Sequence, residues 1–107
     1  MNEYSLTPGM LELVARRFKL LAEPARLNIL YALREKEMTV SELMAATGLE
    51  QANTSNHLQR LHDQGFVERR KEGLFVFYRL AGREVLELCE MMCTRLENEA
   101  EADSSRG

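Results

Sequence analysis

TGLEQANTSNHLQRLHDQGFVERRKEGLFVFYRL, residues 47–80, is the stretch that decides the fold. Thr47-Gly48 closes a helix, because Gly accepts the left-handed backbone needed just beyond a helix end. The helix that follows turns Leu58 and Leu61 inward and offers Gln51, Asn53, Thr54, Ser55, Asn56, His57 and Arg60 outward. Gly65 ends it. The period then changes: residues 66–70 and 74–80 are rich in β-branched and aromatic side chains. They flank Lys71-Glu72-Gly73, which reads as a hairpin turn with Gly available for positive φ.

Working outward, Thr7-Pro8 offers a capping hydroxyl and a proline at the first helical position. Met10, Leu13, Val14, Phe18 and Leu21 then recur at helical spacing. Glu23-Pro24 separates this from a second helix with Leu27, Leu30, Tyr31 and Leu33 in its apolar set, which the polar run Arg34-Glu35-Lys36-Glu37 ends. A short third helix opens at residues 39–42, with Ser41 as the expected N-cap and Leu43, Met44 and Ala46 inward. After the hairpin, helical spacing returns through Val85, Cys89, Met92 and Leu96 at intervals of four, three and four, a seam suited to a partner helix. The fold class is therefore mainly α with a small β-hairpin wing: a winged helix-turn-helix. Residues 1–96 read as one DNA-binding and dimerisation domain, and residues 97–107 as an acidic, disordered tail.

The second helix of such a pair must fit a major groove with side chains that reach base edges. Gln and Asn pair bidentately with adenine and Arg with guanine, so the outward set of the 51–60 segment suits readout. Arg69, Arg70, Lys71 and Arg79 on the hairpin suit phosphate contacts or a minor-groove insertion. The net charge of −3 argues against nucleic acid until it is divided along the chain. Residues 1–50 carry six basic and seven acidic groups, residues 51–83 six and three, and residues 84–107 two and seven. The basic excess sits where the reading elements are, and local sign sets where a phosphate backbone docks.

Composition narrows the class. A chain of 107 residues holds one domain, and with no Trp its core is Leu, Met, Val and Ala. No apolar run approaches the ~20 residues of a membrane span. Residues 1–5 lack the basic flank and apolar stretch of a secretory leader, and two cysteines do not make a disulfide framework. A cytoplasmic protein in a reduced compartment is expected. Catalysis has no support: Ser55 and His57 lie two apart on a helix and point to different faces, and no phosphate-cradling Gly loop is present.

These residues resemble the ArsR/SmtB family of small bacterial winged-helix repressors. The resemblance is carried by residues 20–30 (LLAEPARLNIL), by residues 47–58, by Gly65-Phe66-Val67, by residues 69–73 and by Phe77-Tyr78-Arg79-Leu80. It implies a homodimer through the first and last helices that binds double-stranded operator DNA and is released by a ligand or by thiol chemistry. Two metal sites known in the family are lost by alignment. Thr39 and Ser41 stand at the cysteine positions of one, and Gly82, Glu84, Arg95 and Asn98 at the ligand positions of the other.

Cys89 and Cys93 remain. Their spacing of four places both sulfurs on one helix face, with Cα atoms about 6 Å apart. Soft ligands of this kind suit As(III), Cd, Zn or Cu(I), and equally oxidation or persulfidation. Packing as small hydrophobes is the alternative, in which case the sequence requires no cofactor. His57 reads as a DNA contact rather than a ligand. The set Met10, Met38, Met44, Met91 and Met92 reads as core filler. The competing functional class is a winged-helix module that binds protein, which the overall acidic charge favours and the polar, basic reading face opposes.

Overall fold

The computed structural model describes residues 6–106; Met1–Ser5, which carry the leader argument, lie outside them. The element order is α1 (Pro8–Leu21), α2 (Pro24–Ala32), α3 (Val40–Thr47), α4 (Gln51–Asp63), β1 (Val67–Glu72), β2 (Phe75–Leu80) and α5 (Glu84–Arg106).

Local chemistry sets most boundaries. Thr7 caps α1 by accepting the Met10 N–H at 3.2 Å, with Pro8 at the first position. The cap of α3 is Thr39 and not Ser41. The Thr39 hydroxyl accepts the Glu42 N–H at 3.2 Å, and the Glu42 carboxylate accepts the Thr39 N–H at 2.9 Å. This reciprocal box satisfies two orphan donors, where Ser41 would satisfy one. Gly48 closes α3 at φ +77°, which is why the turn into α4 is so short.

The strands pair antiparallel with Val67 opposite Leu80 and Glu72 opposite Phe75. Lys71 and Glu72 therefore belong to β1, and the turn is Gly73-Leu74, two residues further along than composition suggested. A type II′ hairpin needs only a glycine at its first central position, and Gly73 supplies it at φ +60°. Met38 exchanges both backbone hydrogen bonds with Tyr78, at 2.8 and 2.9 Å, which fastens the wing to the segment before α3.

The core is Leu20, Leu21, Ile29, Leu30, Leu33, Leu43, Leu58, Leu61 and Val67, drawn from α1 to α4 and the start of β1. Ala46 is exposed on α3, because only Leu43 of that helix reaches the centre. α5 touches the body chiefly through Leu86 and half-buried Val85, and from Met91 to Asp103 every residue is exposed. The helix nonetheless runs on across 97–106, where the sequence reading expects a disordered tail. Alanines and glutamates favour helix even without burial, and Arg95 pairs with Glu99 one turn on at 3.4 Å.

The methionine expectation is corrected in part. Met38 and Met44 are half-buried, whereas Met10, Met91 and Met92 are exposed on α1 and α5. The radius of gyration is 16.7 Å, against about 13 Å for a compact domain of this length. The length of α5 that projects from the body, exposed from Met91 to Asp103, accounts for the excess.

Candidate nucleic-acid interface

α4 is seated by three fully buried side chains at positions i, i+4 and i+7: Thr54, Leu58 and Leu61. Thr54 is a correction to the outward set. Its hydroxyl donates to the Glu50 carbonyl at 2.9 Å and it has no exposure, so it anchors the helix. Gln51, Asn53, Ser55, Asn56 and Arg60 are all exposed. At 100° per residue, Asn56 and Arg60 stand nearly opposite the buried row, with Asn53 beside them. Gln59 shares that face and was missed by the sequence reading, although helical rotation alone would place it there; it donates to Asp63 at 2.8 Å.

His57 is half-buried at the edge of the face. Its Nδ1 accepts the Arg26 Nε–H at 3.1 Å, and Arg26 donates in turn to the Leu20 carbonyl at 2.9 Å. Burial, and then the neighbouring Arg26 guanidinium, push the imidazole pKa down. A neutral His57 thus links the α1–α2 junction to α4. No spacing in the sequence announces this contact.

The register divides the wing into two faces. Arg69 and Lys71 share one with Tyr78 and Val76, and Arg70 and Arg79 share the other with Phe77 and Glu68. Arg70 is held by Glu37 and Glu72 and lies over the Phe77 ring, 4.6 Å from its centroid. These carboxylates push the Arg70 pKa further up, and Arg70 holds the Glu37 carboxyl below its usual range. Arg79 pairs with Glu68 at 2.9 Å. Among the described residues, Arg69 and Lys71 have no carboxylate within 4.0 Å. The four cations grouped by sequence therefore separate into two that are unpaired and two that brace the hairpin.

The thiols sit elsewhere. Cys89 is half-buried and Cys93 exposed. Both line a cavity of about 270 Å³ between α2 and α5, together with Tyr31, Arg34, Arg83 and Leu86. The Cys93 thiol donates to the Glu97 carboxylate at 3.1 Å, which pushes its pKa up. Cys89 also lines an adjoining apolar groove of about 360 Å³ between α1 and α5, with Phe18, Leu21, Val85, Leu88 and Met92. At the lost metal positions, Thr39 is used as the α3 cap and Arg95 pairs with Glu99. Among the described residues, no three His, Cys, Asp or Glu side chains gather in metal-binding range.

The family description "Bacterial regulatory protein, arsR family" matches residues 23–69, which span α2 to the start of the wing. The HTH-type transcriptional regulator Rv0081 of Mycobacterium tuberculosis is 40% identical over 78 residues, covering 72% of this chain and 68% of that protein. The chain belongs to the arsR family of bacterial transcriptional regulators. The crystal structure of Rv0081 superposes with a TM-score of 0.78 at 33% identity, over 90% of this chain and 97% of that one. The homodimeric winged helix-turn-helix DNA-binding domain of Mb0332 from Mycobacterium bovis, a fragment of residues 1–100, gives 0.76 at 35%, over 95% of each. The antimony-specific repressor AntR gives 0.77 at 31%, over 94% of this chain and 93% of that one. Against Rv0324 of M. tuberculosis, 42% identical over 80 residues (75% of this chain), the chain spans only 35% of the relative's length. No helix among the described residues is long and apolar enough to cross a membrane.

Proposed function

We propose that this chain is a homodimeric repressor that holds double-stranded operator DNA in the cytoplasm and releases it on a thiol-directed signal at Cys89 and Cys93. One observation carries the DNA reading: α4 presents Asn53, Asn56 and Arg60 on the face opposite its buried Thr54, Leu58 and Leu61 anchor. Ser55 flanks that face, Gln51 is exposed at the N-terminal end of the helix, and His57 closes the edge of the face. Those side chains read base edges in the major groove. Arg69 and Lys71, together on one face of the wing, engage phosphates beside that helix, while Arg70 and Arg79 keep the wing in place for them.

Dimerisation is supported by the apolar face that α1 and α5 leave uncovered, with Leu13, Phe18, Met92 and Leu96 all exposed in the single chain. The homodimeric state of the Mb0332 domain agrees. A protein-binding module is disfavoured because the α4 face carries no aromatic or aliphatic patch.

Support for the signal is geometric. Two thiols share a cavity walled by α2 and α5, and α5 also borders the dimer groove. A ligand there alters the seam and both reading heads together. As(III), Cd, Zn or Cu(I) suits the sulfurs, as does persulfidation or oxidation. The relative AntR is an antimony-specific repressor.

The test is an operator-release titration with As(III), Cd, Zn, Cu(I) and polysulfide, run on the wild-type chain and on the double variant Cys89→Ser, Cys93→Ser. The variant should bind DNA as the wild type does and ignore whichever reagent releases the wild type. Full release of the double variant would move the signal to another site and leave the cysteines as packing.

A further inference from the structure

We propose that the wing tip is an apolar wedge for the DNA minor groove, in which Leu74 enters a base step, unstacks it and bends the duplex. The inference rests on the DNA-binding reading above and goes beyond it: that reading gives the wing cationic contacts to phosphates or the minor groove, and no apolar insertion between bases.

Gly73, at φ +60°, sets Leu74 at the apex of the hairpin, where the side chain is 98% exposed. Phe75 follows it at 63%. A lone exposed leucine is ordinary on any protein. Here two large apolar side chains end a hairpin that is braced to the body. Phe75 lies against Phe77 with ring centroids 6.4 Å apart, and Phe77 carries the Arg70 guanidinium on its face. Arg70 is tied to Glu37, in the connection between α2 and α3. The tip therefore arrives already placed, with little ordering left to cost free energy on contact.

The surroundings identify the occupant. Among the described residues no carboxylate pairs with Arg69 or Lys71, on the strand that leads to the tip, and α4 is the reading helix proposed for the same motif. Cations draw the strand along a phosphate backbone, so the apolar end lands on bases and not on water. Apolar side chains inserted at base steps partly unstack them and kink the duplex toward the major groove. Pyrimidine–purine steps yield most easily. Burial of Leu74 and Phe75 offsets the unstacking, so removing the wedge alters DNA shape more than affinity.

The experiment uses the full chain and a duplex selected by it from a random-sequence library. The duplex carries a donor and an acceptor dye at its ends and 2-aminopurine at the step facing the wing. Wild-type protein should shorten the end-to-end distance and raise the 2-aminopurine fluorescence. Leu74→Ala, a change at a residue without packing contacts to lose, should abolish both signals. Its affinity should fall only about three- to tenfold, with the salt dependence unchanged because no cation is lost. Lys71→Ala should do the converse, lowering the salt slope and keeping the fluorescence. A straight duplex with the wild-type chain overturns the proposal, as does Leu74→Ala that still bends and unstacks DNA. A change of oligomeric state in Leu74→Ala would make the tip a protein contact and overturn it too. If the chain selects no sequence at all, the DNA-binding reading itself fails and the wedge fails with it.

Discussion

At the scale of single residues, side chains that look alike stand in different surroundings. Arg60 stands on the exposed face of α4 proposed to read bases, whereas Lys71 stands on the wing with no carboxylate partner among the described residues. Arg60→Ala should therefore weaken binding to the preferred sequence by about 1–3 kcal/mol and hardly touch other DNA. Lys71→Ala should weaken binding to every sequence and lower the salt slope by about one. Anisotropy titrations at several salt concentrations separate the two. His57 makes a prediction about pH. Its folded-state pKa lies below that of the unfolded chain, so the folded protein binds fewer protons in the window between them. Stability is then fully present above about pH 6.5 and is lost as pH falls through the window toward the lowered value. Urea unfolding at about pH 7.5 and about pH 5.5 should show that loss, and His57→Gln should flatten it. The Arg26–His57 contact joins residues 31 positions apart, and Arg70–Glu37 joins residues 33 apart. Neither was legible, because periodicity reports which face a residue occupies and not which distant side chain meets it there. Thr54 was legible in principle. Its offset of four from Leu58 and seven from Leu61 puts it on their stripe, and its hydroxyl is satisfied within the helix.

At the scale of elements, the order of helices and hairpin is legible in the sequence because capping residues and a change of period mark it. The Thr39–Glu42 box shows where the reading fell short. The pattern T-x-x-E stands in the sequence at 39–42, yet Ser41, also a good cap, competes with Thr39 for the cap position. The far end of α5 was invisible for a different reason. Its side chains from Glu97 to Asp103 are all exposed, so no apolar period marks it, and helix propensity with i, i+4 pairing is what remains. That same helix carries the sensing prediction. The Glu97 carboxylate accepts a hydrogen bond from the Cys93 thiol and raises its pKa, so the thiolate fraction that binds a soft ligand grows as pH rises. Release of DNA by the effective reagent should become more sensitive at higher pH. Glu97→Gln removes the charge that holds the proton, and should shift the release curve to lower reagent concentration at neutral pH. An unchanged curve would place Cys93 outside the sensing site.

At the scale of the whole molecule, the division of charge and the uncovered apolar face explain each other. The acidic excess is carried by α5 and its end, away from the basic 51–83 segment, so a total of −3 does not oppose DNA at the reading face. A single chain leaves the α1–α5 groove open, and a second copy laid across it would cover Phe18, Leu88 and Met92. Met92→Glu should hold the chain at its monomer mass in light scattering, where wild type shows twice that mass. Loss of specific DNA affinity should accompany it, because two reading heads on a two-fold operator act as one only when joined.

The central claim is that this fold reads DNA sequence. Its most direct test is the affinity of the reduced chain for a labelled duplex from upstream of its own gene, against a scrambled duplex of the same composition. We predict binding at least about a thousandfold tighter to the upstream duplex, falling steeply with salt for both. Equal affinity for the two duplexes across the salt range would contradict the account.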